Sequence, residues 1–304
     1  MLAPIVVLSE PLPAAGMARL AAAALELRVL AQPTGAALAA AVRDADAVVL
    51  VNERPALTAA MIAGAPRLRL ACRNGAGFDN FDAAALAARG IPLLTTGAAN
   101  ADAVAEHALY LLLALFKRGP AYDRAVKGGA WPRDAGTRPR ELRGKVAAIV
   151  GYGRIGRRIA DLCRALGMRV MAVDPSPAEA DVAFVPLPDA LAAADAIILA
   201  LPLSPATRGL IDAAALVRMK PSAFLVNVAR GAIVDQPALA AALRAGRLAG
   251  AGLDVLAVEP PAADDPLLAL DSVVLTPHVA ASCPEAIDRV AIACADAVVA
   301  GLAG

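Results

Sequence analysis

Short, continuously apolar runs alternate with alanine-rich helical stretches along most of the 304 residues, and the whole alternation occurs twice. The first series sets expected strands at 4–8 (PIVVL), 25–30 (LELRVL), 47–51 (AVVLV), 68–72 (LRLAC) and 91–95 (IPLLT). Helical pieces fall between them at 14–24, 35–43, 58–63 and 81–89. The second series starts at Lys145, with strands expected at 146–150, 169–174, 195–201, 223–229, 248–255 and 272–276. A strand–helix rhythm at this spacing builds parallel sheets. The strands are apolar at every position rather than every second one, so both faces of each sheet must be covered. The expected class is α/β, with two doubly wound parallel-sheet domains, and the chain is long enough for two cores.

Between the series, Ala101–Lys117 reads as one long helix, with Asn100 as its N-cap and Asp102 in its first turn. The stretch 119–144, rich in Gly, Pro and Arg, reads as an extended arm over the surface and carries the single tryptophan, Trp131. A last helix, Glu285–Leu302, follows the second series and is expected to pack back on the first domain.

Composition narrows the class of partner. Twenty-nine basic and 28 acidic residues leave a formal net charge of +1. A near-neutral surface lacks the concentrated Lys and Arg that phosphate backbones require, so no nucleic acid is expected. The longest apolar stretches, such as Ala108–Phe116, are too short for a bilayer, so no membrane span is expected. The N-terminus MLAPIVVLSE reads as a first strand rather than a signal peptide, which makes the expected location cytoplasmic. Cys72, Cys163, Cys283 and Cys294 show no paired spacing, and there are only two histidines, so no metal site is expected.

Gly151-Tyr-Gly153-Arg154-Ile155-Gly156 is a GxGxxG. By itself the pattern is weak in a Gly/Ala-rich chain. Here it follows a strand, opens a helix over 154–166, and precedes a strand that ends in an acid, Asp174, 18 residues after Gly156. That is the setting in which a dinucleotide pyrophosphate meets a helix N-terminus. Gly151 permits the tight turn, Gly153 the approach of the phosphates, and Gly156 the close packing of helix on strand. Asp174 accepts from the adenosine ribose hydroxyls and repels a 2′-phosphate, and the following Pro-Ser-Pro supplies no arginine. The expected cofactor is NAD.

Three late segments, LVNVARGAIVD, LDVLAVEP and LTPHVAAS, supply Arg230, Glu259 and His278. A guanidinium, a carboxylate and an imidazole are what is needed to hold an anionic substrate and move one proton. The second histidine, His107, lies in an apolar helical stretch and reads as packed there.

With these elements in place, the chain resembles the D-isomer-specific 2-hydroxyacid dehydrogenases over nearly its whole length. The resemblance is carried by NGAGFDNFD (74–82), NADAVAEHALYLLLAL (100–115), VGYGRIG (150–156), LPLSPATRGLI (201–211), MKPSAFLVNVARGAIVD (219–235), GLDVLAVEPP (252–261) and LTPHVAA (275–281). It implies a Rossmann NAD-binding domain, 99–286, inserted in a flavodoxin-like split substrate domain, 1–98 plus 287–304, with the active site in the cleft between. It also implies roles. His278 would protonate the carbonyl oxygen of a 2-keto acid, Glu259 would orient the imidazole and favour its charged form, and Arg230 would bind the substrate carboxylate and polarise the carbonyl. The backbone of Asn74, Gly75, Ala76 and Gly77 would hold the other side of that carboxylate. Arg154 and Ile155 would lie on the phosphates, Leu201, Pro202 and Thr207 along the cofactor, Val228 and Ala229 beside the nicotinamide, and Asp254 on its carboxamide. A homodimer is the implied assembly, and a 2-keto or 2-hydroxy acid the implied partner.

Phosphoglycerate dehydrogenases, members with a similar nucleotide half, carry several basic residues after the third strand. Here that loop reads Val51-Asn-Glu-Arg54, with Arg54 alone for a phosphate and Glu53 opposing it. The sequence ends at Gly304, so the serine-sensing domain of that branch is not expected. Hydroxypyruvate or glyoxylate therefore rank level with the phosphorylated acid. Glu259 argues against a formate dehydrogenase, where glutamine takes its place. An NAD(H)-sensing corepressor-like binding protein is the alternative from another class.

Overall fold

The structure, a computed structural model of the chain, describes residues 3–133, 138–176 and 181–303. It divides into two compact units, one running to Asn100 and resuming at Ser282, the other spanning Ala101–Ala281. The first contains β1 (Ile5–Leu8), α1 (Ala14–Ala21), β2 (Glu26–Val29), α2 (Gly35–Ala41), β3 (Ala47–Leu50), α3 (Ala59–Ala63), β4 (Leu70–Arg73), α4 (Ala83–Ala88) and β5 (Leu93–Thr95). The second contains α5 (Ala101–Lys117), α6 (Gly119–Lys127), β6 (Val146–Val150), α7 (Arg154–Ala165), β7 (Arg169–Val173), β8 (Ala183–Phe184) and α8 (Leu187–Ala193). It continues with β9 (Ala196–Leu199), α9 (Ala213–Arg218), β10 (Phe224–Asn227), α10 (Gln236–Arg244), β11 (Gly250–Leu253) and β12 (Val273–Leu275). Helix α11 (Pro284–Ala303) returns to the first unit.

Both sheets are parallel throughout. The order β2-β1-β3-β4-β5 in the first is the flavodoxin-like 2-1-3-4-5. In the second, β12-β11-β10-β9-β6-β7-β8 is the dinucleotide-binding order 3-2-1-4-5-6 with one strand added at the end. Strand order therefore reverses between β6 and β9, and a ligand crevice in such a sheet opens there.

The continuous apolar runs have the cause expected of them. In the first unit Val7, Val48, Leu50 and Ala71 face Leu38, Ile62 and Leu86 on one side of the sheet. Their neighbours Val6, Leu8, Val49 and Cys72 face Leu20, Cys294, Val298 and Leu302 on the other. Helix α11 thus supplies part of the second layer. It lies so close to α1 that a Cβ on Gly16 would fall 2.8 Å from the carbonyl oxygen of Ala291. The edge strands β2 and β5 are not buried, and β2 carries Arg28 paired with Glu26 and Asp44, a charged edge that discourages strand addition.

The arm expected over 119–144 is in part a helix. Arg118 adopts a left-handed conformation (φ 56°) that ends α5, and α6 starts with Pro120 in its first turn. Proline there loses only an amide that a helix start leaves unpaired anyway. No residue of α6 is buried, so the apolar periodicity that would signal it was never needed. Residues 134–137 of that stretch lie outside the described residues, and Trp131 is 79% exposed. The expected side-chain cap on α5 is not formed, because Oδ1 of Asn100 is buried without a hydrogen-bond partner. No described helix is long and apolar enough to cross a membrane.

Candidate active site

The phosphate loop runs from β6 into α7 at the point where strand order reverses. Its three glycines differ in what surrounds them. Gly151 has φ +92°, and a Cβ there would lie 2.5 Å from the carbonyl oxygen of Ala200 and 2.7 Å from Cβ of Leu201, across the switch point. A Cβ on Gly156 would lie 2.0 Å from the carbonyl oxygen of Gly151, so this residue must be glycine for α7 to seat on the loop. Gly153 is exposed, and a Cβ there would meet nothing within 4 Å. Packing does not explain that glycine; close approach of a ligand does. Gly153 is also the N-cap of α7 and offers no side-chain cap, so the first amides of the helix, on Arg154 and Ile155, remain for an anion. Arg154 is exposed and Ile155 half-buried at that end.

At the end of β7, Asp174 accepts from the Tyr152 amide at 2.7 Å and the Ser176 amide at 2.9 Å. Each oxygen keeps a lone pair for a further donor such as a ribose hydroxyl. Pro177, the last residue of the Pro-Ser-Pro, lies outside the described residues. Thr207 staples the loop after β9, its hydroxyl donating to the carbonyl of Pro202 at 2.8 Å and accepting from the Ser204 amide at 2.7 Å. These residues fit a dinucleotide. Two substitutions separate the roles of the glycines. Gly153→Ala should melt within about 2 °C of the parent yet bind NADH about tenfold more weakly, roughly 1.4 kcal/mol. Gly156→Ala should lose roughly 1–3 kcal/mol of stability as well. Calorimetry with NADH titration reads both, and equal loss of stability in the two would remove the ligand from the explanation of Gly153.

Arg230, Glu259 and His278 all lie in the second unit, each just past the C-terminal end of a strand. Arg230 follows β10 in extended conformation (φ −141°), with its side chain half-buried and Nη1 donating to the carbonyl of Ala229 at 2.8 Å. Its loop is pinned by Asn227, a buried side chain that donates to the Arg230 carbonyl and accepts from the Ala229 amide, both at 3.0 Å. Val228 and Ala229 are buried along this loop. Gly231 then lets it touch the next one, since a Cβ there would fall 1.9 Å from the carbonyl carbon of Leu256. That contact brings the Arg230 loop beside the loop that carries Glu259.

Glu259 uses both oxygens. Oε1 accepts from the Leu256 amide at 2.9 Å and Oε2 lies 2.8 Å from Nδ1 of His278. An ionised carboxylate only accepts, so Nδ1 carries the hydrogen in this pair. His278 itself has φ +55°, a left-handed backbone that non-glycine residues avoid. Such strain persists only where neighbours impose it. Here Asp254 does so: its carbonyl takes the His278 amide at 2.8 Å, and its carboxylate takes the amides of Val279 at 2.9 Å and Ala280 at 3.0 Å.

Asp254 is 1% exposed, and its carboxylate also accepts from the Thr276 hydroxyl at 2.6 Å, with His107 Nε2 3.3 Å away. Burial acts to raise its pKa, and the hydrogen bonds from His107, Thr276, Val279 and Ala280 outweigh that and hold it below the ordinary carboxylate value. Its contribution to stability is complete above the ordinary value and is lost as pH falls through its own lower one. Sequence reasoning placed this residue on a nicotinamide carboxamide; the structure has the carboxylate engaged by protein donors that shape the His278 turn.

The first unit presents the loop after β4. Of its four amides expected to hold a carboxylate, two are already used. The Asn74 amide donates to the carbonyl of Leu50 at 3.1 Å, and the Gly75 amide to the Thr96 hydroxyl at 2.8 Å. The amides of Ala76 and Gly77 have no such protein acceptor among the described residues. A residue that sequence reasoning missed organises this region. Arg73, 8% exposed, donates from Nε to the carbonyl of Gly77 at 2.8 Å and from Nη1 to those of Val51 and Asn52, both at 2.7 Å. It ties the loop after β4 to the loop after β3, where Arg54 stands exposed before Pro55. An arginine closing a strand gives no signal that its guanidinium will fold back over four carbonyls, those of Leu50, Val51, Asn52 and Gly77.

The second sheet has a dinucleotide-binding strand order, and an arginine, a glutamate and a histidine stand on loops past its strand ends. Residues 109–280 match the family model described as D-isomer specific 2-hydroxyacid dehydrogenase, NAD binding domain. The chain belongs to that family. It is 43% identical over 287 residues to D-3-phosphoglycerate dehydrogenase of Mycobacterium bovis, covering 92% of this chain and 53% of that one. The chain thus spans about half the length of these curated relatives. Hydroxypyruvate reductase of Thermotoga maritima is 37% identical over 249 residues, covering 81% of each chain. Among solved structures, D-lactate dehydrogenase of Aquifex aeolicus complexed with NAD and lactic acid superposes with a TM-score of 0.88 at 27% identity, covering 99% of this chain and 96% of that one.

Proposed function

We propose that this chain is an NAD-dependent oxidoreductase that interconverts a 2-keto acid and a D-2-hydroxy acid, with His278 as acid and base. The observation that carries the reading is the 2.8 Å pair between Glu259 and Nδ1 of a backbone-constrained His278, on the unit that holds the phosphate loop. When bound, NADH supplies the hydride for C2 of the keto acid. His278 donates the proton from Nε2 to the carbonyl oxygen and takes it back in the oxidative direction. Glu259 fixes the ring through Nδ1 and favours the charged imidazolium that precedes donation. Arg230 holds the carboxylate and draws charge toward the carbonyl. The amides of Ala76 and Gly77 are the backbone donors proposed for the same carboxylate, with Arg73 keeping their loop in shape. A homodimer working in the cytoplasm completes the reading, and light scattering tests the first of these.

For the cofactor, Asp174 is proposed to select NADH over NADPH. Asp174→Ala should raise the NADH dissociation constant about 10- to 100-fold, the worth of hydrogen bonds to a charged group, and narrow the gap to NADPH. A parent protein that already uses both cofactors equally would sink that role. For the substrate, hydroxypyruvate and glyoxylate are proposed alongside 3-phosphohydroxypyruvate, since Arg54 is the one basic side chain of the loop after β3. NADH oxidation with these three and pyruvate at equal concentration ranks them. Absence of turnover with every 2-keto acid, while NADH still binds, would favour a cofactor-sensing binding protein instead.

A further inference from the structure

We propose that His107, on α5, is a positioning residue for the imidazole of His278, acting through Thr276 and Asp254. The inference rests on His278 as the acid of the proposed reaction. The Asp254 carboxylate, held ionised by its donors, accepts only. The Thr276 hydroxyl lies 2.6 Å from Oδ1 of Asp254, so its single proton is spent there. The Thr276 oxygen is then left as an acceptor toward Nε2 of His107, 2.8 Å away. Nε2 of His107 therefore carries a hydrogen, shared with Oδ1 of Asp254 at 3.3 Å. One directed chain results: His107 donates to Thr276, Thr276 donates to Asp254, and Asp254 receives the amides of the turn at 278–280.

That turn includes the one residue in the site whose backbone is strained, at φ +55°. The Asp254 carboxylate is what holds it, and the His107 donor helps hold the carboxylate. Removing the donor leaves a buried oxygen short of a partner and frees the hydroxyl of Thr276 to turn away. The 278–280 turn can then relax, and the aim of the His278 ring goes with it. Packing alone does not account for His107. Its ring also meets that of Tyr110, with centroids 5.6 Å apart, and the tyrosine is 50% exposed.

The chain has only two histidines, which makes the test direct. In a His107 variant, ¹⁵N-histidine labelling leaves His278 as the single labelled ring. In protein without ligands, His107→Phe should shift the His278 ring nitrogens from a fixed Nδ1–H form toward an average of the two tautomers. Turnover should fall about tenfold, because small misplacement of a reacting group is costly, with NADH affinity within about twofold of the parent. His107→Gln, whose amide N–H reaches the Nε2 position, should restore ring signals and turnover. Thr276→Val, which cuts the relay without touching α5, should reproduce the His107→Phe spectrum. An unchanged His278 spectrum with turnover within about twofold in both His107→Phe and Thr276→Val would overturn the link. Loss of NADH binding and thermal stability in step with turnover, unrescued by Gln, would show a packing role and overturn it too. Full activity of His278→Gln would remove the underlying assignment, and the ring spectra separate that failure from a failure of the link.

Discussion

Replacing His278 with glutamine is expected to lower turnover by about 10²–10⁴-fold, the usual worth of a positioned general acid, while NADH binds as in the parent. Glutamine keeps a donor near the ring position and preserves the packing of the turn, but it cannot release and regain a proton. Two other groups of the second unit are already engaged. His107 is the other histidine, and its Nε2 is committed to Thr276. Glu259 is held by the Leu256 amide and by His278 itself. Steady-state rates with a 2-keto acid in saturating NADH check this, with fluorescence titration of NADH as the control. Turnover within a few-fold of the parent would take His278 out of the mechanism.

The second large effect belongs to Arg230. Arg230→Gln should reduce kcat/KM for a 2-keto acid by about 10³-fold, near the cost of removing one preorganised charge-stabilising donor. The loss should appear in kcat as well as in KM. The guanidinium is proposed to hold the carboxylate in the ground state and also to meet charge that grows on the carbonyl oxygen as hydride arrives. A lysine should recover little, because its ammonium cannot make the forked, planar contact. Stability is expected to change little, since Asn227 and Gly231 fix the loop through its backbone. A rise in KM with kcat unchanged would reduce Arg230 to uniform binding of the acid.

Much of the fold was legible because its rules are local. Strands covered on both faces must be apolar throughout, and alternation with helices forces parallel order, so every strand except the two-residue β8 could be placed within a few residues. Helix α6 was not legible, since a helix that buries nothing shows no apolar period, and Pro120 reads as a breaker unless it falls in the first turn. The phosphate loop was readable because its glycines sit between a strand and a helix, and two of them, Gly151 and Gly156, answer separate steric demands. The supports of the site were not. Asp254 meets Thr276, Val279 and Ala280 across 22 to 26 residues and His107 from another helix, and no spacing in the sequence announces such a meeting. Likewise Arg73 ends a strand that reads as core, and only folding back over Val51, Asn52 and Gly77 gives it a role. The residues proposed to act on a ligand stood out by type, while Arg73 and the partners of Asp254 did not.

The central claim is direct hydride transfer to a 2-keto carbon with the proton supplied by His278. It is tested most directly by reducing hydroxypyruvate or glyoxylate with NADH that carries deuterium at both C4 positions, and reading the product by mass spectrometry and NMR. The account predicts one deuterium at C2 of the hydroxy acid, D configuration wherever C2 is otherwise a stereocentre, and the loss of this product in His278→Gln. A hydroxy acid with only solvent hydrogen at C2, an L product from hydroxypyruvate, or the same labelled product at the parent rate from His278→Gln would contradict it.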